Sequence, residues 1–344
     1  MSKRHGGGAR RPPVKKAHVA VSPRARLTRR PPTAPRRPEG IRWVRSDGSP
    51  NWSQRLAVRQ GEVAQVASRP PIGVSPSSTV LEAAEVMAEN NVRGLVLVDA
   101  KGHLHGVLMA TDIVNYLGGG EYFGIVENRH KLNIYSALRD EQVVSISNPS
   151  PAYIYTTTSL ADAVKLMVIE GIGFLPVVNV EEVAYGVVTE HDIVRTYLGE
   201  EYMGIKVGEV ASKNIVAVGI EDTLRKAAEL MVRHGFRRLP VLGSDNSIKG
   251  MITAKDIVRF FGSHRAFEFV TTGDINEVLE TPVYELMEPG ILTVEASADV
   301  SEAARLMREH NVGSLIVLDE KGEAVGIITE RDVVVAIALE RGGG

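Results

Sequence analysis

One seven-residue string recurs four times along the chain. It stands most plainly at Gly326-Ile327-Ile328-Thr329-Glu330-Arg331-Asp332, and again at Gly250-Met251-Ile252-Thr253-Ala254-Lys255-Asp256 and Gly186-Val187-Val188-Thr189-Glu190-His191-Asp192. A worn copy lies at Gly106-Val107-Leu108-Met109-Ala110-Thr111-Asp112. Met87 to Asp112, Met167 to Asp192, Met231 to Asp256 and Met307 to Asp332 each span 25 residues, and each glycine falls 19 residues after its methionine. A constant interval in four copies marks a true repeat. Any fold of this chain must therefore be built from one unit used four times.

Each unit reads as strand, helix, strand, strand, helix. The first strands are Ile72–Val74, Ala152–Ile154, Ile215–Val218 and Ile291–Val294. Thr79, Ser159, Thr223 and Asp299 stand eight residues before the methionines and are residue types that cap helices by accepting from a free first-turn amide. Apolar residues at helical spacing follow, as in Leu224, Ala227, Ala228 and Met231. Short apolar runs at Leu95–Val98, Leu175–Val178, Leu239–Leu242 and Leu315–Leu318 read as buried strands, and a third strand leads into the Gly-x-x-Thr string. The second helix begins near the aspartate.

These strings, with Leu175-Pro176-Val177 and Leu239-Pro240-Val241 upstream, resemble the CBS domain over about residues 70–340. The resemblance implies an α/β (α+β) fold in which repeats pair through their sheets into two modules. It also implies a regulatory binding role for AMP, ADP or ATP rather than catalysis. The expected division is an arm at 1–45, a lead-in at 46–70, and repeats at 71–142, 143–205, 206–281 and 282–340. Gly118-Gly119-Gly120-Glu121-Tyr122 and Asn133-Ile134-Tyr135-Ser136-Ala137-Leu138 resemble strings of archaeal stand-alone four-repeat CBS proteins, part of a group associated with translationally inactive ribosomes.

The residues allow two readings of the Thr-x-x-Asp turn. The pair can cap the second helix. It can also face a cleft, where the carboxylate accepts from ribose hydroxyls and the helix start, helped by a basic neighbour, favours phosphate. The nucleotide candidates are Thr189, His191 and Asp192; Thr253, Lys255 and Asp256; and Thr329, Arg331 and Asp332. The first copy keeps only Asp112, having Met109 and Thr111 at the other places. Arg237 and Arg238 are either phosphate ligands from the facing repeat or a solvated pair.

Charge is split along the chain. Residues 1–45 carry fourteen Lys or Arg and one acid, a net of +13, so the remainder carries −15 of the overall −2. Gly and Pro interrupt the arm, which cannot bury enough apolar surface to order by itself. It reads either as a solubilising tail or as a polyanion-binding arm for structured RNA, with Arg favoured for bidentate phosphate contact and base stacking. The RNA candidates are Arg10, Arg11, Lys15, Lys16, Arg24, Arg26, Arg29, Arg30, Arg36, Arg37, Arg42, Trp43 and Arg45. Trp43 and Trp52 either pack the root of the arm onto the body or stack on bases.

There is no cysteine, which excludes disulfides and thiolate chemistry. No His spacing on a helix argues for a metal, no phosphate-loop or nucleophile-elbow string is present, and no apolar run approaches a bilayer span. The reading is a cytoplasmic, non-enzymatic, adenine-nucleotide-responsive protein whose arm binds ribosomal RNA as a hibernation-type translation inhibitor. The alternative is a free nucleotide sensor that controls a partner enzyme. Apolar faces that one module cannot cover suggest a homodimer, unless the four repeats close on themselves.

Overall fold

The computed structural model describes residues 19–20, 26–27, 43–45, 47, 49–54, 56, 63–197 and 202–339. Two short arm strands, β1 (Val19–Ala20) and β2 (Arg26–Leu27), come first. Repeat 1 contains β3 (Gly73–Val74), α1 (Val80–Glu89), β4 (Gly94–Val98), β5 (Leu104–Met109) and α2 (Ala110–Leu117). A connector holds α3 (Phe123–Asn128) and α4 (Ile134–Arg139). Repeat 2 contains β6 (Ile154–Tyr155), α5 (Leu160–Glu170), β7 (Phe174–Val178), β8 (Ala184–Thr189) and α6 (Glu190–Tyr197). Before repeat 3 lie α7 (Val207–Val210) and β9 (Asn214–Ile215); the repeat continues with β10 (Val218–Gly219), α8 (Leu224–His234), β11 (Arg238–Leu242), β12 (Ser247–Thr253) and α9 (Ala254–Gly262). After α10 (Ile275–Leu279) and β13 (Glu288–Pro289), repeat 4 contains β14 (Thr293–Glu295), α11 (Val300–Glu309), β15 (Ser314–Leu318), β16 (Ala324–Thr329) and α12 (Glu330–Ala338).

The four sheets are copies of one design. The first strand runs parallel to the second, and the second runs antiparallel to the third. Each antiparallel pair carries a register shift at the same place: Leu97/Val98, Val177/Val178, Val241/Leu242 and Val317/Leu318. The caps read from the sequence all act. Thr79, Ser159, Thr223 and Asp299 accept from the backbone N–H of Glu82, Asp162, Lys226 and Ser301 respectively. Such a cap contributes roughly 1 kcal/mol.

The glycine of each repeated string answers to backbone from another repeat. A side-chain carbon at Gly186 would lie 2.8 Å from the Ser68 carbonyl oxygen, and one at Gly106 would lie 2.7 Å from that of Asn148. The same holds for Gly250 against Glu288 and for Gly326 against Ser212, at 2.3 and 2.7 Å. Repeats 1 and 2 thus exchange the segments that precede them, and repeats 3 and 4 do the same. This exchange makes the two modules, and the glycines are needed because a crossing strand leaves no room for a side chain.

Helices then join the modules, repeat 1 against 3 and repeat 2 against 4. One core gathers Val80, Ala84, Met87, Ile113 and Tyr116 with Ala228, Met231, Ile257 and Phe261. A second gathers Ala163, Met167, Ile193 and Val194 with Ala303, Met307, Val333 and Ile337. Repeats 1 and 3 approach closely because small residues meet: a side-chain carbon at Gly262 would sit 2.2 Å from the Ala84 carbonyl oxygen, and one at Gly118 would sit 2.2 Å from Ala228 Cβ. The connectors meet as well, with Ile134 donating to the Gly273 carbonyl and Ile275 to that of Leu132, both at 2.9 Å. The four repeats therefore close on themselves. The apolar helix faces of each module are covered by the other module within the chain.

The lead-in at 46–70 ends in a 3-10 turn at Val63–Gln65 and a bridge from Ser68 to Val187. Among the described residues no helix is long and apolar enough to cross a membrane.

Candidate ligand site between the repeats

A cavity of about 760 Å³ opens where the repeats meet. Two Thr-x-x-Asp turns line it, Thr189/Asp192 and Thr253/Asp256, each beside a crossing segment from the neighbouring repeat: Pro70–Ile72 in the first case, Gly290–Leu292 in the second. Local chemistry builds the turns. Thr253 N–H and its hydroxyl both donate to Asp256 Oδ2, at 2.9 and 2.7 Å. Thr189 does the same to Asp192 Oδ2 at 2.8 and 2.7 Å, and Thr329 to Asp332 Oδ2 at 2.7 and 2.8 Å. The capping reading therefore describes one carboxylate oxygen, whose two lone-pair positions are filled. The ligand reading can apply only to the other oxygen, which in Asp256 lies 3.5 Å from Arg259.

The floor between the two turns is charged. Glu190 is buried and accepts from Arg237 at 2.9 Å, from Arg331 Nε at 3.0 Å and from Arg93 at 3.4 Å. Burial would raise its carboxyl, but the three guanidiniums overcome this and hold it below the usual carboxylate range. Glu330, also buried, faces His191 Nδ1 at 2.8 Å and Arg93 at 3.6 Å. That hydrogen bond raises the His191 pKa. The Arg238 side chain lines the cavity near Glu330 and Glu190, and burial, acting against the pull of Glu330, lowers its pKa to about 10. It stays charged near neutral pH. A guanidinium lining a cavity is a place where an anion is favoured.

The floor also has a sequence signal, missed in reading the strings singly. Aligned across repeats, Arg93 and Arg237 correspond to Gly173 and Gly313, while Ala110 and Ala254 correspond to Glu190 and Glu330. Repeats 1 and 3 supply arginine where repeats 2 and 4 supply glycine and a carboxylate. The glycines are the space for the floor: a side-chain carbon at Gly173 would lie 2.4 Å from Glu190, and one at Gly313 would lie 2.7 Å from Arg238.

The other candidates are placed differently. Lys255 lines the cavity and donates to Asn91 at 2.8 Å. Arg331, proposed from sequence as a phosphate ligand, is engaged by Glu190 and by the Gly171 carbonyl; neither it nor Thr329 nor Asp332 lines this cavity. Arg237, one of the two readings of which was a solvated residue, is tied to Glu190. Burial pushes the Asp332 and Asp112 carboxyls up to about 6.

The CBS domain model matches residues 63–119, 143–199, 207–263 and 283–339, which is most of the chain. The chain belongs to the CBS domain family. It is 33% identical over 274 residues to an uncharacterized 33.4 kDa protein in the ribosomal RNA operon of Thermofilum pendens, covering 79% of this chain and 90% of that one. It is 29% identical over 280 residues to the uncharacterized protein MJ1225 of Methanocaldococcus jannaschii. The crystal structure of MJ1225, proposed as an archaeal homolog of g-AMPK, superposes with a TM-score of 0.74 at 28% identity, covering 80% of this chain and 99% of that one. An uncharacterized conserved protein from Pyrococcus horikoshii shares the fold, with a TM-score of 0.51 at 18% identity over 80% of this chain and all of that one.

Most of the RNA candidates, namely Arg10, Arg11, Lys15, Lys16, Arg24, Arg29, Arg30, Arg36, Arg37 and Arg42, lie outside the described residues of this CBS protein, and Arg26 is described only as backbone in β2. Trp43 packs against the core shared by repeats 2 and 4, as does Trp52, and the Trp43 carbonyl accepts from Asn51 at 3.0 Å. Ser53 donates to the Ala338 carbonyl at 2.8 Å, fixing the root of the arm to the last helix. Arg45 is exposed. Among the described residues no group of three or more His, Asp or Glu is arranged to hold a metal ion.

Proposed function

We propose that this CBS protein is a regulatory binder of an adenine nucleotide, AMP, ADP or ATP, taken into the central cavity. The observation that carries this reading is the pairing of two Thr-x-x-Asp turns with the cationic side chain of Arg238 around one cavity of about 760 Å³. That volume suits a ligand of nucleotide size. Asp192 and Asp256 offer their remaining carboxylate oxygen to ribose hydroxyls, and Arg238 and Lys255 take phosphate. Binding rather than catalysis is the proposed role. Isothermal calorimetry with AMP, ADP and ATP tests this: saturable binding is expected, and no heat with any of the three ends the reading.

A second layer concerns the arm. Its net charge of +13 and the relative in a ribosomal RNA operon favour RNA as its partner, with translation as the process regulated. If six bases engage phosphates, raising salt from 50 to 200 mM should weaken binding by roughly several hundredfold or more. Co-sedimentation with ribosomal subunits that is equally strong for a chain starting at Ser46 would overturn this layer. No co-sedimentation at low salt would leave the free nucleotide sensor.

A further inference from the structure

The two modules close their seams differently. In the first, His103 bridges Val183, Leu104 N–H donates to the Glu182 carbonyl at 3.3 Å and Ala184 N–H to that of Gly102 at 2.9 Å, so β5 and β8 cover each other's edges. The aligned residues of the second module are Ser247–Ile248 and Glu323–Ala324, and no bridge joins them among the described residues. The edge at Ser247–Ile248 is taken instead by the arm: Val19 pairs with Ile248 and Ala20 with Ser247, antiparallel. A few residues on, Arg26 and Leu27 run parallel to Asn214 and Ile215, the segment that crosses to repeat 4.

Both partner positions, Ile215 and Ile248, are fully buried in a small apolar cluster with Ile291, Ile316, Leu318 and Ala324, set between the two sheets of this module. The first module has no bridge left open at the same place. An uncovered strand edge is a template for a further strand, and main-chain hydrogen bonds supply the affinity of such additions. The arm carries +13 and the rest of the chain −15, which adds charge complementarity.

We infer that the seam of the second module is a strand-docking surface whose occupant is this chain's own arm, through Val19–Ala20 and Arg26–Leu27. The docked stretch is flanked in sequence by Lys15, Lys16, Arg24, Arg29 and Arg30. A polyanion that engages the whole arm must therefore draw it off the seam. This last consequence rests on the RNA reading; the docking does not. Because β12 begins at the docked edge and ends at Thr253 in the nucleotide cavity, the seam and the cavity share one strand.

Hydrogen exchange on the intact chain tests the docking. Peptides covering 17–28 should exchange slowly in the natural chain and fast in Ala20→Pro, which loses a backbone donor but no charge. Peptides covering 245–250 should also speed up. Equal exchange in the two chains overturns the proposal. The absence of cysteine allows a second test: Ala20→Cys with Ser247→Cys sits at directly paired positions, where Cα spacing suits a disulfide. An oxidised monomer supports docking in cis; a covalent dimer shows the strand comes from a second copy and overturns it. Ala20→Pro should bind polyuridylate about fivefold more tightly if the free arm is the competent form about one-fifth of the time. Unchanged RNA affinity with altered exchange overturns the competition. No RNA binding by either chain, with altered exchange, supports the docking and removes the RNA reading.

Discussion

The four repeated turns, three Thr-x-x-Asp and one Met-x-x-Asp, fall into two pairs by where their aspartates lie. Asp192 and Asp256, from the middle repeats, line the central cavity; Asp112 and Asp332, from the outer repeats, do not, and burial pushes both of their carboxyls up to about 6. Local geometry does not separate the pairs. Asp192, Asp256 and Asp332 each receive the N–H and hydroxyl of their threonine on one oxygen. What differs is the surroundings: the open turns share a floor of Arg93, Arg237, Arg238, Glu190 and Glu330. The repeated string is therefore first a helix cap, and only Asp192 and Asp256 also face a cavity for which other repeats supply space and charge.

Removing that floor is the strongest way to break the contrast. Glu190 is the common acceptor of Arg93, Arg237 and Arg331. Glu190→Ala leaves three guanidiniums without it, and breaking a buried ion cluster from one side costs about 3–5 kcal/mol. Urea unfolding should show that loss, with nucleotide binding weakened at both open turns together. A cost under about 1 kcal/mol, the level of a surface pair, would mean the floor is not a shared support.

Single ligand residues come next. Asp256→Ala and Asp192→Ala should each weaken nucleotide binding about ten- to a hundredfold, the effect of one charge-assisted hydrogen bond. Asp112→Ala and Asp332→Ala should leave affinity nearly unchanged in the same calorimetry. Arg238→Met keeps much of the stem and removes the charge. It should weaken ATP about tenfold, the loss of a charged hydrogen bond, and adenosine hardly at all. Equal losses for ATP and adenosine would show that Arg238 shapes the cavity rather than holding phosphate.

The repeat interval made the fold legible. Constant spacing fixed four units, the caps at Thr79, Ser159, Thr223 and Asp299 fixed where their helices start, and apolar runs fixed the strands. The lining of the cavity was legible only in part. Asp192 and Asp256 stood out, but so did Asp332, because a string of seven residues carries no information about which turn faces space. Arg93, Glu190 and Glu330 were missed because their meaning lies in differences between repeats: an arginine in one copy is explained by a glycine in another. The arm shows the same limit from the other side. Its composition cannot order it alone, yet β1 and β2 find their hydrogen-bond partners on the body.

The smallest expected effect concerns the closed turns. The Asp332 carboxyl, with Glu190 and Arg331 nearby, titrates near pH 6 in the folded protein instead of near its ordinary value of 3.8. Burial is the main cause, acting against the hydrogen bonds from Thr329. The folded state therefore holds a proton that the unfolded chain has released. The associated stability is fully present below pH 3.8 and is lost as pH rises through about 6. His191, whose pKa is raised by Glu330, loses its contribution in the same direction as pH rises, so a single melting curve mixes the two. The difference between chains separates them. Asp332→Asn keeps an oxygen for the Thr329 donors but cannot ionise. It should gain on the natural chain in melting temperature as pH rises from 5 to 7.5. The same melts with saturating nucleotide should shift the natural chain and Asp332→Asn by equal amounts, because the closed turn contributes to the fold and not to the ligand. A nucleotide shift that disappears in Asp332→Asn would place Asp332 at a ligand after all and erase the division between the two pairs.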